Sequence, residues 1–126
     1  MSMITPLKRV RGLGSAKEGA GHFLQQRLTA AANIILVPFA VGLFAKLAGA
    51  DLGTVKATLS HPGIAIAVVV LILSVCVHMR IGMQIIIEDY VQDESTKLIL
   101  VMANTFFTVA VALASAFAIL MLSFKV

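Results

Sequence analysis

The stretch from His78 to Tyr90 gathers His78, Arg80, Gln84, Glu88, Asp89 and Tyr90, with Gly82 among them. A neutral imidazole in a dry helical bundle is a natural axial ligand for haem iron, and equally a polar group able to hydrogen-bond a neighbouring helix. One buried histidine cannot make six-coordinate iron by itself, so the haem reading demands a second ligand from another chain. Asp89 beside Tyr90 pairs an acceptor with a phenol that can donate, as a quinone carbonyl or a lipid headgroup requires. The same pair also occurs as an ordinary helix-end acid and interfacial tyrosine. On a helix turning about 100° per residue, the step from His78 to Asp89 ends about 20° past three full turns, placing both on one face about 16 Å apart. Gly82 and Ile85 flank His78 on that face, and the glycine leaves a gap where a flat ligand or another backbone can approach. Arg80 lies about 200° from His78 and should face away, free to snorkel toward the membrane surface or to reach a haem propionate from a neighbouring position.

These residues need a scaffold, and composition decides what kind. Of 126 residues, 60% are hydrophobic and 13% charged, with mean hydropathy +1.00. Soluble domains carry about 25% charged residues, so this chain has too little polar surface to solvate a globule of its size. Uncharged runs of 18, 23 and 27 residues separate Arg27 from Lys46, Lys56 from Arg80 and Lys97 from Lys125. About 20 apolar residues cross a hydrocarbon core of about 30 Å, so the chain is expected to be all-α, with transmembrane helices near 26–48, 61–88 and 98–124. Residues 1–25 form a tail and interfacial lead-in, and 26–126 the anchor domain. Helices are the only sensible spans here, because lipid offers the backbone no hydrogen-bond partner. His61-Pro62-Gly63 should open the second span, Ser95 and Thr96 can cap the third, and Pro38 should bend the first.

The remaining candidates have structural roles. Cys76 reads as a small core residue, with no disulfide available to a single cysteine. His61 should face water, and His22 belongs to the interfacial lead-in. Ala110, Ala114 and Ala118 recur every four residues and should allow close packing on a helix within the anchor. The six methionines show no ligand spacing for copper. Glu88, Asp89, Asp93 and Glu94 concentrate acids in one connection and suit either a basic partner surface or solvation. No removable secretory signal and no internal repeat are expected.

Orientation follows the basic residues. Lys8, Arg9, Arg11, Lys17, Arg27 and Lys97 fall on one side, and Lys46, Lys56 and Lys125 on the other. The positive-inside rule predicts that the N-terminal tail and the 89–97 connection face the cytoplasm, or the matrix if the protein is organellar. The net charge of +4 then serves anionic headgroups and calls for no nucleic acid.

The pattern His78-x-Arg80-x-Gly82 followed by Asp89-Tyr90, together with Gly12-Leu-Gly14-Ser-Ala-Lys17-Glu18-Gly19 and His22-x-x-x-Gln26-Arg27-Leu-Thr29-Ala, resembles the smaller hydrophobic anchor subunit of succinate dehydrogenase, respiratory complex II, in its alphaproteobacterial form. Tryptophans common near the Gln26-Arg27 segment in that family are missing here, where the chain reads His22-Phe23-Leu24. The resemblance implies that His78 is an axial ligand of haem b, shared with a histidine of the larger, cytochrome b-type anchor subunit. It implies that Tyr90 hydrogen-bonds a ubiquinone carbonyl and that Asp89 pairs with a partner arginine and aids proton delivery. The partners it implies are that larger anchor, an iron–sulfur subunit and a flavoprotein subunit. The location it implies is a bacterial inner membrane, as a multi-pass protein with the C-terminus in the periplasm. This chain would then bind and orient the quinone as a non-catalytic subunit, while electrons from succinate reach the quinone pool. A fumarate reductase anchor working in the quinol-oxidising direction and a cofactor-free three-span structural or assembly protein are the competing readings.

Overall fold

The computed structural model describes Thr5, Leu7, Gly12 and residues 19–124; the basic residues Lys8, Arg9, Arg11 and Lys17 of the tail lie outside the described residues. Four helices follow one another, with no strand among the described residues: α1 Gly19–Leu47, α2 Leu52–Leu59, α3 Pro62–Tyr90 and α4 Glu94–Ser123. Three of them, α1, α3 and α4, are long and apolar enough to cross a membrane, matching the expected spans in number and order.

The helix ends follow local chemistry. α1 begins several residues before the expected span, because Gln25, Gln26 and Arg27 extend a helix beyond its lipid-facing part without ending it. It runs unbroken through Pro38, whose ring removes one amide donor. The helix stops where Gly49 takes φ 81°, a left-handed conformation that costs a residue without Cβ little.

The connection that follows holds α2, a helix the sequence reading did not expect. Asp51 caps it: Oδ2 accepts from the Thr54 amide at 3.1 Å and Oδ1 from the Thr54 hydroxyl at 2.6 Å. These bonds, the hydroxyl foremost, hold the Asp51 carboxyl below its ordinary range.

His61 precedes Pro62 at the first position of α3, as expected, with no side-chain cap of its own. The cap of α4 is a correction: Asp93, rather than Ser95 or Thr96, supplies the oxygen, accepting from the Thr96 amide at 2.7 Å. A carboxylate at this position also complements the positive helix end.

α3 is the element packed against both α1 and α4, while α2 touches α3 and α4. Ser60 Oγ donates to the Leu122 carbonyl at 2.7 Å, and Ser123 Oγ to the Leu59 carbonyl at 3.4 Å, tying the end of α4 to the α2–α3 junction. Ile81 is completely buried, and Cys76 is buried as expected of a small core residue. The row of Ala110, Ala114 and Ala118 faces outward instead of meeting a helix of this chain, which corrects part of the expectation: within one chain that stripe has no helix against it. Only 11%, 22% and 6% of the apolar windows of α1, α3 and α4 are buried, so the rest of each apolar surface faces outward from the chain.

Candidate functional site at the α1–α3 groove

α1 and α3 run antiparallel, and their few polar side chains meet in register. His78 is half-buried, with Nδ1 3.0 Å from Thr29 Oγ1. One turn earlier on α3, Ser74 Oγ donates to Asn33 Oδ1 at 2.8 Å and lies 3.4 Å from the Thr29 carbonyl. Between lipid-facing helices such bonds replace the hydrophobic drive that water would supply.

Below this ladder the helices part into an open groove of about 500 Å³. α1 lines it with His22, Phe23, Gln26, Arg27 and Ala30, and α3 with His78, Ile81 and Ile85. The Arg27 guanidinium sits 4.4 Å from the Phe23 ring centroid, a stacking geometry that holds the cation beside the groove. Gln26 Oε1 is buried without a hydrogen-bond partner among the described residues. Such an oxygen costs about 1–3 kcal/mol while it stays unpaired. A Cβ on Gly82 would come within 3.8 Å of Gln26 Nε2, an ordinary contact, so the space expected beside His78 at this glycine is bordered by the Gln26 side chain.

The other sequence candidates lie apart from this groove. Arg80 does not line the groove; its carbonyl accepts from Asn104 Nδ2 of α4 at 2.9 Å. Its half-buried side chain makes no ion pair among the described residues. Asp89 and Tyr90 close α3, both exposed, with Tyr90 at 81%. Gln84 Nε2 donates to Glu88 Oε1 at 2.8 Å along the same helix. Asp93 sits in the connection beyond, its carboxyl held below the ordinary range by the Thr96 hydroxyl and amide.

Sequence reasoning gave Thr29, Gln26 and Asn33 no role of their own. Their spacing carried a signal, since positions 26, 29 and 33 fall on one helix face and form a polar stripe in a span that is otherwise apolar.

The model of the succinate dehydrogenase/fumarate reductase transmembrane subunit family matches residues 1–112, taking in the groove, Asp89-Tyr90 and most of α4. The chain belongs to this family. It is similar to the succinate dehydrogenase hydrophobic membrane anchor subunit of Paracoccus denitrificans, 30% identical over 106 residues that cover 84% of this chain and 82% of the relative. A Rickettsia bellii subunit of the same description is 32% identical over 104 residues, covering 80% and 81%. No solved structure matches the chain at comparable significance. Family membership and three apolar helices make this a multi-pass membrane protein of the anchor type, built to work in a complex with other subunits.

Proposed function

We propose that this chain anchors a succinate dehydrogenase in the bacterial inner membrane, supplies one axial ligand to a haem b shared with a larger anchor subunit, and forms one wall of the ubiquinone-reduction site. The observation that carries the reading is His78 on the wall of the α1–α3 groove, an imidazole kept inside a lipid-spanning helix pair. An ionisable group at that depth is expensive, and function is the usual reason for its presence.

The groove residues suit a haem. Ile81, Ile85, Ala30 and Phe23 offer apolar walls, and Arg27 adds a positive charge for an anionic edge. His78 would hold the iron, and Arg80 would contact a propionate. When bound, the haem supplies one-electron redox chemistry close to the quinone. The chain's own contribution at the quinone lies in Asp89 and Tyr90. The Tyr90 hydroxyl donates to a ubiquinone carbonyl, and this bond strengthens as negative charge grows on that oxygen. Asp89 pairs with a partner arginine and passes protons toward the same oxygen. Ubiquinone takes up two electrons from succinate oxidation and two protons to leave as the quinol, so this subunit binds and orients while the iron–sulfur and flavoprotein subunits perform the oxidation. On this reading the N-terminus and the α3–α4 connection face the cytoplasm.

The test is a reduced-minus-oxidised visible spectrum of the complex purified from membranes. A b-type band lost in His78→Ala, with the catalytic subunits still attached, supports ligation. A band that survives the substitution clears His78, and a colourless complex without catalytic subunits favours a structural three-span protein.

A further inference from the structure

The Thr29 hydroxyl carries one proton and has three neighbours: the Gln25 carbonyl at 2.8 Å, the Gln26 carbonyl at 3.1 Å and His78 Nδ1 at 3.0 Å. The carbonyls can only accept. If the hydroxyl donates to one of them, as threonines in helices do, its oxygen is left to accept from an Nδ1–H. Two hydrogen bonds then form in sequence, His78 Nδ1–H to Thr29 Oγ1 and Thr29 O–H to the turn below, and Nε2 keeps a bare lone pair. In the opposite arrangement the hydroxyl donates to Nδ1, only one bond forms, and the Nε2–H makes no hydrogen bond among the described residues. The first arrangement wins by one hydrogen bond and avoids an unpaired donor in an apolar groove.

We propose that Thr29 is a positioning residue that fixes His78 in the Nδ1–H tautomer, so that the Nε2 lone pair is the one offered to the groove and to haem iron. The proposal rests on the reading of His78 as a ligand and adds to it a residue that touches neither iron nor quinone. A ring nitrogen that donates to an oxygen makes the opposite nitrogen a stronger ligand and locks the ring's orientation. Stronger donation favours ferric over ferrous iron, so the Thr29 bond lowers the haem potential.

The test uses the complete complex in native membranes with Thr29→Val, Thr29→Ser and His78→Ala, read by potentiometric titration of the b-type band and by electron paramagnetic resonance of the ferric haem. Thr29→Val keeps the shape and removes the hydroxyl. Loss of the bond should weaken the preference for ferric iron about tenfold, an upward shift of about 59 mV for one electron, with a changed low-spin signal as the ring is released. Thr29→Ser should restore both readouts. Thr29→Ala serves as a second deletion if the valine variant fails to assemble. A wild-type potential and signal in the deletion variants, or a serine variant that behaves like them, overturns the role of Thr29 while a band lost in His78→Ala leaves the ligand intact. A band that survives His78→Ala overturns the ligand itself, and the Thr29 proposal with it.

Discussion

Ser74 of α3 donates to Asn33 Oδ1 of α1 across 2.8 Å, one helical turn from the pair formed by His78 and Thr29. The two contacts fix the antiparallel register of α1 and α3, and so decide which side chains face each other across the groove. Sliding α3 by one turn would place Ser74 opposite Thr29 and leave His78 opposite Gln25 or Gln26. Asn33→Leu should therefore loosen this pair by about 0.6 kcal/mol, the average for interhelical bonds in membranes. Thermal unfolding of the detergent-solubilised complex measures it, and an unchanged midpoint would remove Asn33 from the register.

On the other flank of α3, Asn104 donates to the Arg80 carbonyl at 2.9 Å. That carbonyl also serves its own helix, so Asn104→Leu should cost no more than about 1 kcal/mol. Because Asn104 lies across α3 from His78, the haem band should keep its position. A displaced band in the variant would show that the α3–α4 contact governs the groove.

Tyr90→Phe removes one hydroxyl from the most exposed aromatic residue at the end of α3. Ubiquinone reduction should fall by about 10²-fold, the lower range for removal of a single transition-state donor. Succinate oxidation by a soluble dye should stay at the wild-type rate. Equal activities in both assays would take Tyr90 out of the mechanism.

Asp51 provides the pH dependence. Its carboxyl is held below the ordinary value in the folded chain, so it titrates lower folded than unfolded. Its contribution is fully present above the usual carboxylate range, about pH 4, and fades as pH falls through the lowered value. Protection of the Thr54 amide, measured against its intrinsic exchange rate, should fall in that acid window, and Asp51→Ala should show the same low protection at neutral pH. An amide equally protected in both proteins would show that the cap does not hold α2.

The spans were legible because charges interrupt the apolar runs, and lipid permits few other structures for runs of that length. Their ends were less so. Arg27 marks where hydrocarbon stops, not where the helix stops, and α1 reaches back to Gly19. α2 was missed because none of its eight residues is fully buried and its apolar face, Leu52, Val55 and Leu59, spans only two turns; its signals were Gly49 behind it and Asp51 three residues before Thr54. Asp93 precedes the Ser95-Thr96 pair and reaches the Thr96 amide first, which displaced the expected cap. His78 was visible as a costly residue in a span. The identity of its neighbour was not visible, since which residue of α1 stands opposite position 78 depends on register, and register is set by contacts between chain segments 49 positions apart.

The sparse burial of α1, α3 and α4 within the chain ties its fate to stoichiometry. A copy made in excess of its companions has no private core to retreat to, and its exposed flanks present the same surface to a correct mate, to a second stray copy and to a membrane protease. Whatever order the three spans gain beyond their own few contacts has to come from lipid and from the other subunits of the complex.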